Sequence, residues 1–241
     1  SQVLLKNENQ RLPLSPSGTY LVAGPGADNI GQQSGGWSVS WQGTGNSNSD
    51  FPGGTSILDG IERQVSAAGG RVVRDINADA DIDAAVVVFG ETPYAEMQGD
   101  AYTVAWYDKR GERKLINALV EKGIPVVAVF LTGRPMWIND VLNQSDAFVV
   151  SWLPGTEGEG IADVLLRDAN DEVQFDFVGK LPMPWPALDV NARDRDMPVD
   201  AFVFPIGYGL SVTQDTVWST LSEELIGADN SLDQEVFKGG P

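Results

Sequence analysis

Three continuous apolar runs of strand length constrain this chain more than anything else in it: Ala84-Ala85-Val86-Val87-Val88-Phe89, Pro125-Val126-Val127-Ala128-Val129-Phe130-Leu131 and Ala147-Phe148-Val149-Val150-Ser151-Trp152. Rich in β-branched residues and without polar alternation, each predicts a strand covered on both faces. Helical spacing separates them. Ile57, Leu58, Ile61 and Val65 form one stripe behind Thr55 or Ser56 as N-cap, and Leu115, Ile116 and Leu119 form another within 111–122, closed by Gly123. Residues 137–142 and 158–167 read as further helices, and 19–23 and 71–74 as short strands. Such alternation specifies an α/β fold, a mostly parallel sheet of about five or six strands with helices on both faces.

The stretch that leaves the first run, Gly90-Glu91-Thr92-Pro93-Tyr94-Ala95-Glu96-Met97-Gln98-Gly99-Asp100, starts at a strand's C-terminal end. In open parallel sheets that end is where ligands bind, because strand-to-helix loops converge there on a rigid platform. Two glutamates, an aspartate and a tyrosine in such a loop suit acid-base work on an oxygen-rich substrate. The plainer reading is a set of solvated loop acids. Glu91, just after the strand, reads as structural, accepting backbone N–H groups of its own turn.

Composition removes several chemistries. The 241 residues contain no Cys and no His, so disulfides, thiolate nucleophiles and Ser-His-Asp or Cys-His mechanisms are excluded within this chain. A transition-metal site has none of its usual ligands. The net charge of -18, from 34 acids against 16 bases, would repel nucleic-acid phosphate and an anionic membrane surface. A neutral partner fits better, and such acidity suits a saline or extracellular setting. No apolar stretch has transmembrane length, no signal-peptide pattern opens the sequence, and a soluble chain is the expectation.

The remaining segments are less regular. Residues 27–54 form a long Gly, Ser and Asn-rich loop, and a loop of that length inside a compact domain is usually functional. The charges Lys109, Arg110, Glu112, Arg113 and Lys114 read as a solvated helix face, and 175–179 as a last strand. The prolines of Leu181-Pro182-Met183-Pro184-Trp185-Pro186 forbid helix and suit a rigid extended wrap or an edge. Residues 1–211 read as one domain and 212–241 as an acidic linker or the start of a further region, with a possible short helix at 218–226.

Many of these strings, in this order, resemble the second domain of glycoside hydrolase family 3, the β-glucosidase and exo-β-glucanase family. They are Val3-Leu4-Leu5-Lys6-Asn7, Leu12-Pro13-Leu14, Gly24-Pro25 with Ala27-Asp28, Gly35-Gly36-Trp37, Trp41-Gln42-Gly43, Thr55-Ser56-Ile57-Leu58 and Gly90-Glu91. Pro93-Tyr94, Glu96, Gly99-Asp100, Gly133-Arg134-Pro135, Trp152-Leu153-Pro154-Gly155, Glu157-Gly158, Gly179-Lys180-Leu181-Pro182 and Gly207-Tyr208-Gly209-Leu210 continue the series. The resemblance implies a six-stranded α/β sandwich. It also implies an N-terminal barrel, absent here, that carries the aspartate nucleophile and most of the sugar pocket.

Retaining hydrolysis needs two carboxyl groups about 5 to 5.5 Å apart, one attacking and one protonating the leaving oxygen. The resemblance puts the acid/base on Glu96, in its Pro-Tyr-x-Glu pattern, with Glu91 as rival, and makes Trp41 a platform for the sugar beyond the cleavage point. The indole face suits the C–H side of a pyranose. It implies a β-glucoside or β-glucan oligosaccharide as substrate, no cofactor, and a secreted, periplasmic or cell-surface location. Trp37, behind two glycines, is expected in the core; Trp106, Trp137, Trp152 and Trp185 are expected in the core or between domains. Arg134 is expected to pair with an acid such as Glu157, while Glu157 and Glu159 suit a helix N-terminus. Asp100 is placed to orient the loop or titrate with Glu96.

A non-catalytic carbohydrate-binding or scaffold domain of the same fold is the competing class. An N-acetylglucosaminidase is disfavoured because those enzymes carry the acid/base on the barrel. A nucleotide-binding domain is disfavoured too, because Gly24-Pro25-Gly26 leads into a long polar loop rather than a helix.

Overall fold

The computed structural model describes residues 2–101, 103–188 and 201–224. A six-stranded sheet forms its centre, built from β1 (Val3–Asn7), β2 (Thr19–Ala23), β3 (Arg71–Val73), β4 (Ala84–Gly90), β5 (Val126–Leu131) and β6 (Ala147–Trp152). The order across it is β1-β6-β5-β4-β2-β3. All neighbours run parallel except β1, which lies antiparallel to β6 at the edge.

The short helix α1 (Ile30–Ser34) lies in the loop after β2, and the helices that follow it cover the two faces of the strands and make two cores. Val86 and Val88 of β4, Val127 and Val129 of β5 and Val149 of β6 meet Ile57, Ile61 and Val65 of α2 (Ile57–Ala67) and Ile161 and Leu165 of α5 (Gly158–Leu165). Their alternates Val87, Phe89, Ala128, Phe130, Phe148 and Val150 meet Ile116 and Leu119 of α3 (Glu112–Glu121) and Val141 and Leu142 of α4 (Asn139–Gln144). This double covering is why the runs have no polar alternation. Each such side chain contributes about 1.5 to 3 kcal/mol on burial. Trp106, Trp137 and Trp185 are buried and Trp152 is half-buried, as expected.

Helix ends follow local chemistry. Ser56 caps α2 by accepting the Asp59 N–H at 3.1 Å. Gly123, at φ 69°, takes the left-handed position just past α3. The basic and acidic residues around α3, expected on a solvated face, are partly enclosed. Glu112 is only 3% exposed. Arg113 pairs with Asp140 of α4 and stacks over Trp106, 4.5 Å from the ring centroid. Lys109, Arg110 and Lys114 are exposed as expected, while α4 packs against α3 and brings Asp140 to Arg113.

The expected strand at 175–179 is not in the sheet, and Phe175 and Val178 are exposed. The place beside β6 is already filled by β1. The proline segment runs extended into β7 (Trp185–Pro186), which pairs with β8 (Phe202–Phe204) as a separate two-stranded ribbon. Residues 213–224 pack back on the domain rather than leading away. Thr216 bonds Asn7 through backbone and side chain, and Trp218 Nε1 donates to Asn143 Oδ1 at 3.1 Å. Residues 218–224 are not helical; 225–226 of the expected helix, and the rest of the segment to 241, lie outside the described residues.

The connections explain where a site can form. From β2 the chain crosses by α2 to β3 on one side of the sheet, whereas from β4 it crosses by α3 to β5 and by α4 to β6 on the other. The order therefore reverses between β2 and β4. In α/β sheets such a reversal places the ligand crevice at the carboxyl ends of those two adjacent strands.

Candidate active site

The loops after β2, β4 and β5 meet over that crevice. Pairing of Gly90 with Leu131 puts the following residues, Glu91 and Thr132, side by side. Glu91 is the hub of this junction. Its Oε2 accepts the Thr132 hydroxyl at 2.7 Å, the Tyr94 hydroxyl at 3.1 Å and the Gly133 N–H at 3.3 Å. Its Oε1 accepts Arg134 Nη2 at 2.8 Å and Nε at 3.1 Å. Arg134 also lies over the Tyr94 ring, 5.5 Å from its centroid. Burial, then the Glu91 carboxylate, pushes the Tyr94 hydroxyl up to about 12.

Two sequence expectations change here. The Glu91 carboxylate is engaged, but with the end of the neighbouring strand rather than with N–H groups of its own turn. Arg134 pairs with Glu91, not Glu157, since the register of β4 and β5 brings those two together. Glu157 instead precedes α5 and accepts the Thr156 hydroxyl, and Glu159 pairs with Arg63.

Beyond the hub the loop turns outward. Glu96 is exposed, and its Oε2 accepts the Trp41 indole N–H at 2.8 Å. Chiefly through that bond, and next through a bond from its own backbone N–H, the carboxyl is held below the usual range, with Trp37's indole adding least in the same direction. Gln42, next to Trp41, accepts the Ala95 N–H at 2.7 Å and donates to the Glu96 carbonyl at 3.0 Å. Asp100 is exposed at the far end, its backbone N–H donating to Met97 O at 3.2 Å.

Trp37 is not in the core; it is 70% exposed, with Trp41 at 46%. Tight packing does occur at the two glycines, but it is their backbone that packs. A Cβ on Gly36 would sit 2.0 Å from the Tyr94 carbonyl oxygen, so only glycine lets the β2 loop lie against the β4 loop. The Trp37 N–H donates to Trp41 O at 2.8 Å and Trp37 takes φ 59°, which turns its ring out of the protein. The two indoles stand side by side, centroids 6.1 Å apart and tilted by 44°. Val39, between the two tryptophans in sequence, and Met97, next to Glu96, are exposed too, so these two loops carry an apolar rim beside that carboxylate.

Glu96 and Trp41, singled out separately from the sequence, are brought into direct contact by the fold. Sequence reasoning gave no role to Gln42 or Thr132. The Trp41-Gln42-Gly43 string was the available signal for Gln42.

The model for the glycosyl hydrolase family 3 C-terminal domain matches residues 2–212. The chain belongs to that family. Among relatives of this family 3 domain, the lysosomal beta glucosidase of Dictyostelium discoideum is 33% identical over 88% of the chain and 28% of that protein. The periplasmic beta-glucosidase of Salmonella typhimurium is 28% identical over 98% of the chain and 37% of that protein. In structure, the family 3 domain is similar to an exo-1,3/1,4-beta-glucanase from a Pseudoalteromonas species, with a TM-score of 0.86 and 46% identity over 93% of this chain and 37% of that one. The domain is thus of the β-glucosidase and glucanase type, and it spans 28% to 37% of the length of these proteins. Among the described residues no helix is long and apolar enough to cross a membrane.

Proposed function

We propose that this domain supplies the general acid/base for retaining hydrolysis of β-glucosides or β-glucan oligosaccharides, with Glu96 as the proton donor. The attacking carboxylate would stand on an N-terminal barrel of the same enzyme. The observation that carries this reading is an exposed Glu96 carboxylate at the switch-point crevice, flanked by two outward-facing indoles. A pyranose stacked on Trp41 would lie beside the carboxyl that protonates its departing oxygen.

Charge state supports a divided site. A general acid must be protonated near neutral pH, yet Glu96 titrates below its ordinary value in this domain because indole N–H groups favour the carboxylate. Two changes would lift it: burial under an apposed domain, and a second carboxylate about 5 to 5.5 Å away. Both come with the barrel. The apolar rim of Trp37, Val39, Trp41 and Met97 is the surface such a domain would cover. An exported setting, secreted, periplasmic or at the cell surface, goes with this reading. The acidic composition and the likeness to a periplasmic beta-glucosidase support it.

The test is Glu96→Gln in the intact enzyme, assayed on an unactivated glucan oligosaccharide and on an aryl glucoside with a good leaving group. The glucan rate is expected to fall about 10²- to 10⁴-fold, and the aryl glucoside rate far less in the glycosylation step. Small, equal losses on both would instead mark a sugar-binding or scaffold domain.

A further inference from the structure

We propose that Gln42 is a positioning residue for the acid/base, holding the Glu96 main chain while its neighbour Trp41 holds the Glu96 carboxylate. The inference rests on the reading of Glu96 given above. It starts from what fixes that glutamate. Among the described residues, the hydrogen bonds to Ala95 and Glu96 from outside their own loop come from Trp41 and Gln42, both in the loop after β2. Within the loop, Gly99 N–H donates to Ala95 O at 2.8 Å and Asp100 N–H to Met97 O at 3.2 Å, which shape the turn without tying it to the sheet.

Gln42 supplies that tie. One amide group both accepts from the Ala95 N–H, at 2.7 Å, and donates to the Glu96 carbonyl, at 3.0 Å, so two consecutive residues are gripped as a strand neighbour would grip them. The holder is itself braced. Gly43 N–H donates to Ser40 O at 3.1 Å, and Asn46 Nδ2 donates to Ser38 O at 2.9 Å and to Gly43 O at 3.2 Å. A Cβ on Gly43 would stand 2.1 Å from Gly35 O, so the turn that carries Gln42 lies directly on the backbone behind Trp37.

The residue type matters as much as the place. Glutamate would keep the acceptor for Ala95 but lose the donor and add a charge beside Glu96. Asparagine is a methylene too short, and methionine fills the volume without either bond. Displacing a proton donor by about 1 Å is enough to cost about 10²-fold in rate, so a loop acid needs such a grip.

The experiment compares Gln42→Met, Gln42→Glu and Glu96→Gln in the intact enzyme on the two substrates above, together with the Trp41 indole N–H resonance across pH. Gln42→Met is expected to lower the glucan rate about tenfold or more and the aryl glucoside rate less than about threefold. Its thermal midpoint should stay near wild type, and the pH-dependent shift of the Trp41 N–H should shrink as the carboxylate leaves the indole. Gln42→Glu should lift the Glu96 titration. Equal loss on both substrates, or an unchanged indole signal in Gln42→Met, overturns the positioning role. If Glu96→Gln shows no leaving-group selectivity, the acid/base reading fails, while the indole titration still decides whether Gln42 holds Glu96.

Discussion

Glu91 and Glu96 belong to one loop and are treated in opposite ways by the fold. Glu91 lies at the loop's base, its side chain 11% exposed, and is gripped by Arg134, Thr132, Tyr94 and Gly133. Glu96 lies at the loop's outer turn with water on one side and neutral indole donors on the other. The first carboxylate has both oxygens engaged by protein donors. The second is presented but not spent. A catalytic acid on a loop needs both arrangements, one to pin the loop to the sheet and one to leave a carboxyl available.

The largest expected effect on stability breaks that contrast at its base. Glu91→Ala should cost about 2 to 3 kcal/mol in urea unfolding, below the range for a wholly enclosed pair because the Arg134 side chain remains 28% exposed. Arg134→Met should cost less in the Glu91→Ala background than alone, since the partner charge is already gone. In the intact enzyme Glu91→Ala should slow glucan and aryl glucoside alike, because a loosened loop impairs every step that uses it. Glu96→Gln should leave the unfolding midpoint in place. A selective glucan loss in Glu91→Ala with full stability would exchange the two assignments.

The two glutamates also mark where sequence ceases to be informative. The strands were legible because Val86, Val87 and Val88 stand in an unbroken run, and only a doubly covered strand tolerates that. Order of elements and position of the loop followed from the same runs. What a residue touches across the sheet did not, because it depends on register. Arg134 reaches Glu91 only because Gly90 pairs with Leu131, and no local pattern encodes that pairing. Trp37 was illegible for a related reason: glycines report that backbone is crowded, not which way the next side chain leaves. The docking of Trp218 onto Asn143 joins segments far apart in the chain, and acidic, polar composition around Trp218 gave no hint of it.

A third carboxyl sharpens what burial does when the partner changes. Glu112 faces another acid as well as a cation. Burial, then the hydrogen bond to Asp108, raises its pKa, while Arg110 stands 3.6 Å away. Burial alone would raise Asp108 too, but hydrogen bonds from Glu112 and from the N–H groups of Arg113, Glu112 and Gly111 together hold it well below the usual range. Glu112 therefore keeps its proton longer folded than unfolded. Stability from that proton is full below the unfolded value of about 4.3 and is lost as pH rises toward the folded one. The Asp108 contribution runs the other way and is lost as pH falls below about 3.9. Glu112→Gln, whose amide donates to Asp108 at every pH, should flatten the decline above about pH 4.3 in unfolding titrations. An identical decline in the variant would place the pH dependence elsewhere.

The smallest expected effect lies at the outer turn, where Glu96 meets its indoles. Trp41→Phe keeps an aromatic face and deletes the N–H that reaches Glu96 at 2.8 Å. A bond donated to the charged form lowers a carboxyl's pKa, so its loss should move the Glu96 midpoint upward, toward the protonated state that acid catalysis uses. Trp37→Phe should move it the same way by less, because the 2.8 Å bond to the carboxylate comes from Trp41. Side-chain carboxyl NMR of this domain reads both midpoints directly. If Trp37→Phe gave the larger shift, the carboxylate would rest mainly on the outer indole, and Trp41 would be free to serve the sugar alone. If neither moved it, the indoles would be a platform only, and the low Glu96 titration would have to come from its own backbone.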